Sequence, residues 1–86
     1  MMNKIQMAAK LYDTRDTMKK FWKDEYAAKI AAYKPYIEKA MKKYDCDVIP
    51  AMIKIVENLQ KECPGVGEMS QALIIAAAVE MVDGRR

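Results

Sequence analysis

The 86-residue chain has no histidine, a single phenylalanine, three glycines, three prolines and two cysteines. Each shortage closes off a class of protein. Without His there is no side chain whose ordinary pKa lies near neutrality, which argues against acid–base catalysis at pH 7. Few Gly, Pro and Phe beside eight Met argue against a sheet protein. Arginine occurs only at positions 15, 85 and 86, so bidentate reading of bases or phosphates has little to work with. The longest uninterrupted apolar run, residues 72–79, falls far short of the roughly 20 residues a spanning helix needs. No basic, apolar, small-residue leader pattern opens the chain, and a cytoplasmic protein is expected.

The two cysteines are poor candidates for a staple. With residues 48–62 helical, Cys46 and Cys63 flank opposite ends of that helix, about 22 Å apart, whereas bridged Cα atoms lie within about 7 Å. Both thiols are expected to be free, and the fold must rest on packing.

What is present is apolar and charged: 52% hydrophobic and 31% charged residues, enough for one soluble domain spanning 1–86 and too few residues for two cores. The net charge of +3 conceals a division. Residues 1–44 carry an excess of six positive charges, and residues 45–86 an excess of three negative ones. With no linker and no internal repeat between the halves, this polarity belongs to different helices of one domain.

The spacing predicts an all-α, compact bundle of four helices near residues 3–22, 24–44, 48–62 and 68–83. In the first, Met7, Leu11, Met18 and Trp22 form a stripe, with Ile5, Ala8 and Tyr12 beside it. The second carries the clearest periodicity, through Tyr26, Ile30, Tyr33, Ile37, Met41 and Tyr44. Pro35 interrupts it without shifting its register, which predicts one helix kinked near Tyr33. Asp47 is the expected N-cap of the third helix, with Pro50 in its first turn and Ile49, Met52, Ile53, Val56 and Leu59 facing inward. Cys63 to Gly67 stops it. The last helix is apolar nearly all round, ends at Gly84, and is expected at the centre of the bundle or partly in a subunit interface. Its surplus apolar circumference predicts self-association, most simply as a two-fold dimer.

Candidate chemistry is sparse. Gly65-Val66-Gly67 before a helix resembles the start of a phosphate-cradling loop, but Ser70 stands where a third Gly belongs and no strand precedes it, so an interhelical turn is the better reading. Asp45, Cys46 and Asp47 point apart and have no His beside them, so no metal site and no cofactor is expected. Asp13 and Asp16, one turn apart, are read as surface ion-pair partners of Arg15 and Lys20. No catalytic constellation emerges, and the chain is read as no enzyme.

Two clusters, Lys19-Lys20-Phe21-Trp22-Lys23 and Lys39-Ala40-Met41-Lys42-Lys43-Tyr44, mix cations with aromatic rings as nucleic-acid surfaces do. Trp22 and Tyr44 fall on the apolar stripes, however, which leaves a solvated lysine face beside packed rings. The methionines exceed what a small core needs, and some of Met2, Met7, Met18, Met69 and Met81 are candidates for an interface.

In general character the chain resembles the small helical accessory proteins of bacteriophages and prophages, anti-CRISPR and other anti-defence inhibitors among them: a short frame opening Met1-Met2-Asn3, segregated charge and a Met- and Lys-rich bundle. The resemblance implies a non-enzymatic module that docks on a larger protein, as inhibitor or assembly factor. Lys19, Lys20, Lys23, Lys39, Lys42 and Lys43 are the expected partner-binding residues. The alternative is a sequence-nonspecific nucleic-acid binder using the same lysines, and after it a membrane-surface role for residues 19–23.

Overall fold

Helix α1, Lys4–Trp22, opens a computed structural model that describes residues 4–84, with side chains from Met7 onward except that of Met69. Lys19 and Lys20 in its last turn complement the negative end of the helix dipole. The helix stops where Lys23 turns to φ 50°, a left-handed conformation, and a 3-10 turn at Lys23–Glu25 leads into α2, Tyr26–Ala31.

The expected single kinked helix is two helices. Ala32 and Tyr33 form a turn between α2 and α3, Lys34–Tyr44, and the Tyr33 amide reaches back to the Ile30 carbonyl (3.0 Å). Pro35 sits in the first turn of α3, where its missing N–H costs least, so the chain restarts a helix rather than bending one. The apolar stripe survives the break: Tyr26, Ile30, Ile37 and Ala40 are all buried. Asp45, at φ 50°, ends α3 with its amide on the Met41 carbonyl.

Helix α4, Val48–Glu57, starts as expected, with Asp47 Oδ1 accepting from the Val48 amide (2.8 Å). Its inner face is rotated from the expected one. Val48, Ala51, Met52 and Ile55 are buried, whereas Ile49, Ile53 and Val56 are half-buried at the edge of the core. Nor does it run on to residue 62. Asn58 leaves helical geometry, its side chain donating to the Lys54 carbonyl, and a single turn, α5 (Leu59–Glu62), follows. Gly65 at φ +86° makes the next corner, which a side chain would strain.

A 3-10 turn at Glu68–Ser70 leads into α6, Gln71–Asp83, the helix against which α1, α2, α3 and α4 all pack. Leu73, Ile74, Ala76, Ala77, Ala78 and Val79 are buried there. The three alanines let neighbouring backbones come close, and the four covering helices bury or half-bury every residue of α6. Among the described residues no strand occurs and no helix is long and apolar enough to cross a membrane. Cys63 is buried and Cys46 half-buried, both as free thiols, and burial pushes the Cys63 thiol pKa up.

Candidate docking surface

Helix α1 lies along α6 and is held in register by polar groups. Arg15 Nη1 donates to Glu80 Oε1 (2.6 Å) and to Asp83 Oδ2 (3.0 Å), and its Nε donates to Asp16 (2.7 Å). The Tyr12 hydroxyl donates to Asp83 Oδ1 (2.8 Å), with the guanidinium 5.4 Å from the Tyr12 ring centre. Hydrogen bonding to Glu80 raises the Arg15 pKa further above neutrality, so the charge is permanent.

Of the expected surface partners Asp16 pairs with Arg15, whereas Glu80 and Asp83 lie outside the expected set of Asp13, Asp16, Arg15 and Lys20. A signal for them was there: two carboxylates three residues apart near the C-terminal end of an otherwise apolar helix face an unfavourable dipole and call for a cation. Beside this seam the Tyr26 hydroxyl is buried without a hydrogen-bond partner among the described residues. Burial, with the Glu80 carboxylate next in effect, pushes its pKa up to about 12.

Above the seam, α1, the start of α4 and the end of α6 do not close on one another. They leave an apolar groove of about 430 Å³. Met7, Ala8, Leu11 and Tyr12 of α1 form one wall. Ile49 of α4 and Val79 and Val82 of α6 form the other. No described side chain of α1 is fully buried, and Met7 at the groove's edge stays 37% exposed. Further along the same helix Phe21 is 69% exposed. Its ring meets Trp22 edge-on at 5.1 Å, and Lys29 lies over the Trp22 face at 4.5 Å.

The six lysines expected to bind a partner are all exposed. They fall into two groups on helices that pack against α6 rather than against each other. Lys19, Lys20 and Lys23 surround Phe21 in the chain; Lys39, Lys42 and Lys43 belong to α3. Lys43 is committed within the fold. Its amino group lies 3.1 Å from Glu62 Oε1, a carboxylate that also accepts from the Tyr44 hydroxyl. Tyr44 first and Lys43 second lower the Glu62 pKa. Lys54 covers the Tyr44 ring at 4.8 Å, so this second basic cluster is a packed corner, with Lys39 and Lys42 left at its surface.

Asp45 and Asp47 serve as helix caps, and among the described residues no three potential ligands gather for a metal ion. The glycine loop is a turn: the Val66 amide donates to the Cys63 carbonyl (3.1 Å), and the Ser70 hydroxyl accepts from Tyr33 (3.1 Å). Of the candidate interface methionines, Met18 and Met81 are half-buried against the core. Met2 and the Met69 side chain lie outside the described residues, as do Arg85 and Arg86. No protein-family model, no curated protein and no solved structure matches the chain.

Proposed function

We propose that this chain is a non-enzymatic protein-docking module, an inhibitor or assembly factor of the phage accessory kind, cytoplasmic, that works by occupying the surface of a larger protein. One observation carries the reading: an open apolar groove lies between α1, α4 and α6 with the exposed Met7 at its edge, and a second exposed large apolar side chain, Phe21, stands further along α1. A small domain that leaves such groups uncovered has apolar area to offer a partner. Lys19, Lys20 and Lys23 then form a charged rim that steers encounter, while Lys39 and Lys42 lie further off on α3. Every lining residue of the groove is apolar except Tyr12, whose hydroxyl is already given to Asp83. The groove therefore suits burial of side chains rather than chemistry on a substrate.

The second reading, nonspecific nucleic-acid binding, is favoured by Phe21 standing exposed among three lysines, a ring available for stacking beside cations for phosphates. Two measurements separate them. A photocrosslinking residue at position 7 or 21, introduced in the native host, should join the chain to a protein. Anisotropy titrations with a single strand and a duplex should show only weak binding that fades between low and physiological salt. Submicromolar binding at physiological salt that is lost in a Lys19→Glu/Lys20→Glu/Lys23→Glu variant would replace the first reading with the second.

A further inference from the structure

We infer that α1 is a hinged cover with two rest positions, set by a contest for the Glu80 carboxylate: Arg15 of α1 holds it when the cover is closed, and Tyr26 of α2 takes it when the cover lifts. This goes beyond docking and stands whether or not a partner occupies the groove.

Glu80 belongs to α6, the helix on which both α1 and α2 pack. In the closed position Arg15 has it. Nη1 donates to Glu80 Oε1 at 2.6 Å, and the same nitrogen reaches Asp83 Oδ2 at 3.0 Å. Tyr26 comes from α2 and is only 6% exposed. Its hydroxyl is close enough to feel the Glu80 charge, yet has no hydrogen-bond partner among the described residues. A buried hydroxyl beside a carboxylate that it does not bond is a cost of the closed position. Release of Arg15 removes that cost, since a part-buried carboxylate that has lost its cation favours the nearest donor. The two positions differ in which donor is satisfied, and such an exchange of partners makes an element bistable.

The rest of α1 suits a swing about one end. The helix stops at Trp22, Lys23 turns to φ 50°, and a 3-10 turn leads into α2. Trp22 packs against the core with Lys29 of α2 over its ring at 4.5 Å, so the pivot end is pinned. Towards the other end Met7, Ala8, Ala9 and Lys10 are all exposed, and the groove of about 430 Å³ opens between α1, α4 and α6. Leu11 and Met18 touch the core between the two ends, but neither is fully buried. The clasp is therefore polar: Tyr12 on Asp83, and Arg15 on Asp83 and Glu80. Lifting α1 takes away one wall of the groove and bares Val79 and Val82 on the other.

Native-state hydrogen exchange, resolved by residue, tests this with two substitutions. Arg15→Gln weakens the clasp and should speed α1 amides at least about tenfold while α4 amides keep their rate. Tyr26→Phe should do the reverse. It removes the donor that favours the lifted position, so α1 amides should slow about fivefold although nothing in α1 has changed. In the double variant that slowing should disappear, because without Arg15 the tyrosine reaches Glu80 in both positions. A hydroxyl unpaired in both positions would instead slow only the amides that exchange on global unfolding. Tyr26→Phe with α1 amides at the wild-type rate or faster thus overturns the inference, and so does an equal slowing in both backgrounds. Arg15→Gln speeding α1 and α4 alike also overturns it, since α1 would then leave only when the whole fold does. Should Arg15→Gln fail to fold, Tyr26→Phe against the wild type decides alone.

Discussion

Lys23 and Tyr26, three residues apart, each hold a local cost that a single substitution should relieve. Lys23 sits at φ 50° with its side chain exposed, a conformation that costs a non-glycine residue about 1 kcal/mol. Lys23→Gly should therefore raise the melting temperature by a few degrees, and a lower value would show that the lysine makes a compensating contact. The Tyr26 hydroxyl is buried beside the Glu80 carboxylate but short of good hydrogen-bond geometry, so Tyr26→Phe should be neutral or stabilising by about 1 kcal/mol. The same residue sets an alkaline limit. A tyrosine whose folded pKa is raised from 10.0 to about 12 stabilises fully below pH 10, and that stability is lost as the pH climbs through 12. Absorbance titration should find one tyrosine ionising late, together with unfolding, and the late step should vanish in Tyr26→Phe.

Helix α4 shows how far the sequence can be read at the scale of elements. Of its ten residues, only Lys54 and Glu57 are charged, so an inward face could be drawn through several sets of positions. The expected set turned Ile49, Ile53 and Val56 inward; Val48, Ala51 and Ile55 occupy the core instead. Ile55→Asp should therefore unfold the protein, since an unpartnered buried carboxylate costs several kcal/mol, whereas Ile53→Asp should lower the melting temperature without abolishing the transition. Equal damage from both would contradict the observed rotation. The stripe through α2 and α3 was legible because lysines and glutamates separate its apolar positions, and Pro35 marked where it breaks. Asn58 carried no comparable mark. The groove was hidden for another reason: its walls come from three helices, and no single periodicity reports the gap between them. At the second lysine cluster, periodicity located Tyr44, but the Glu62 that joins it to Lys43 comes from a loop-flanked turn 18 residues away. Lys43→Glu, harmless on a free surface, should destabilise here by setting two carboxylates against each other.

Taken as a whole, the molecule divides by burial more than by sequence. Among the described side chains the buried cluster is supplied from Tyr26 onward, whereas α1 adds half-buried side chains and is tied to α6 at Arg15. Helix α1 is thus a cover over a core that the other helices build. Hydrogen exchange should reveal two tiers, with α6 amides exchanging only on global unfolding and α1 amides through a cheaper local opening. Because the tie is an ion-pair seam near the surface, added salt should speed exchange in α1 more than in α6. The seam also has a consequence in the time domain. A cover that opens on its own sets a clock for whatever binds it, since a ligand on its outer face must wait for the closed form or hold it shut. Exchange in α1 should accordingly slow when a partner occupies that face, while α4 keeps its pace, and a protease able to cut within α1 should find the bound chain harder to nick than the free one.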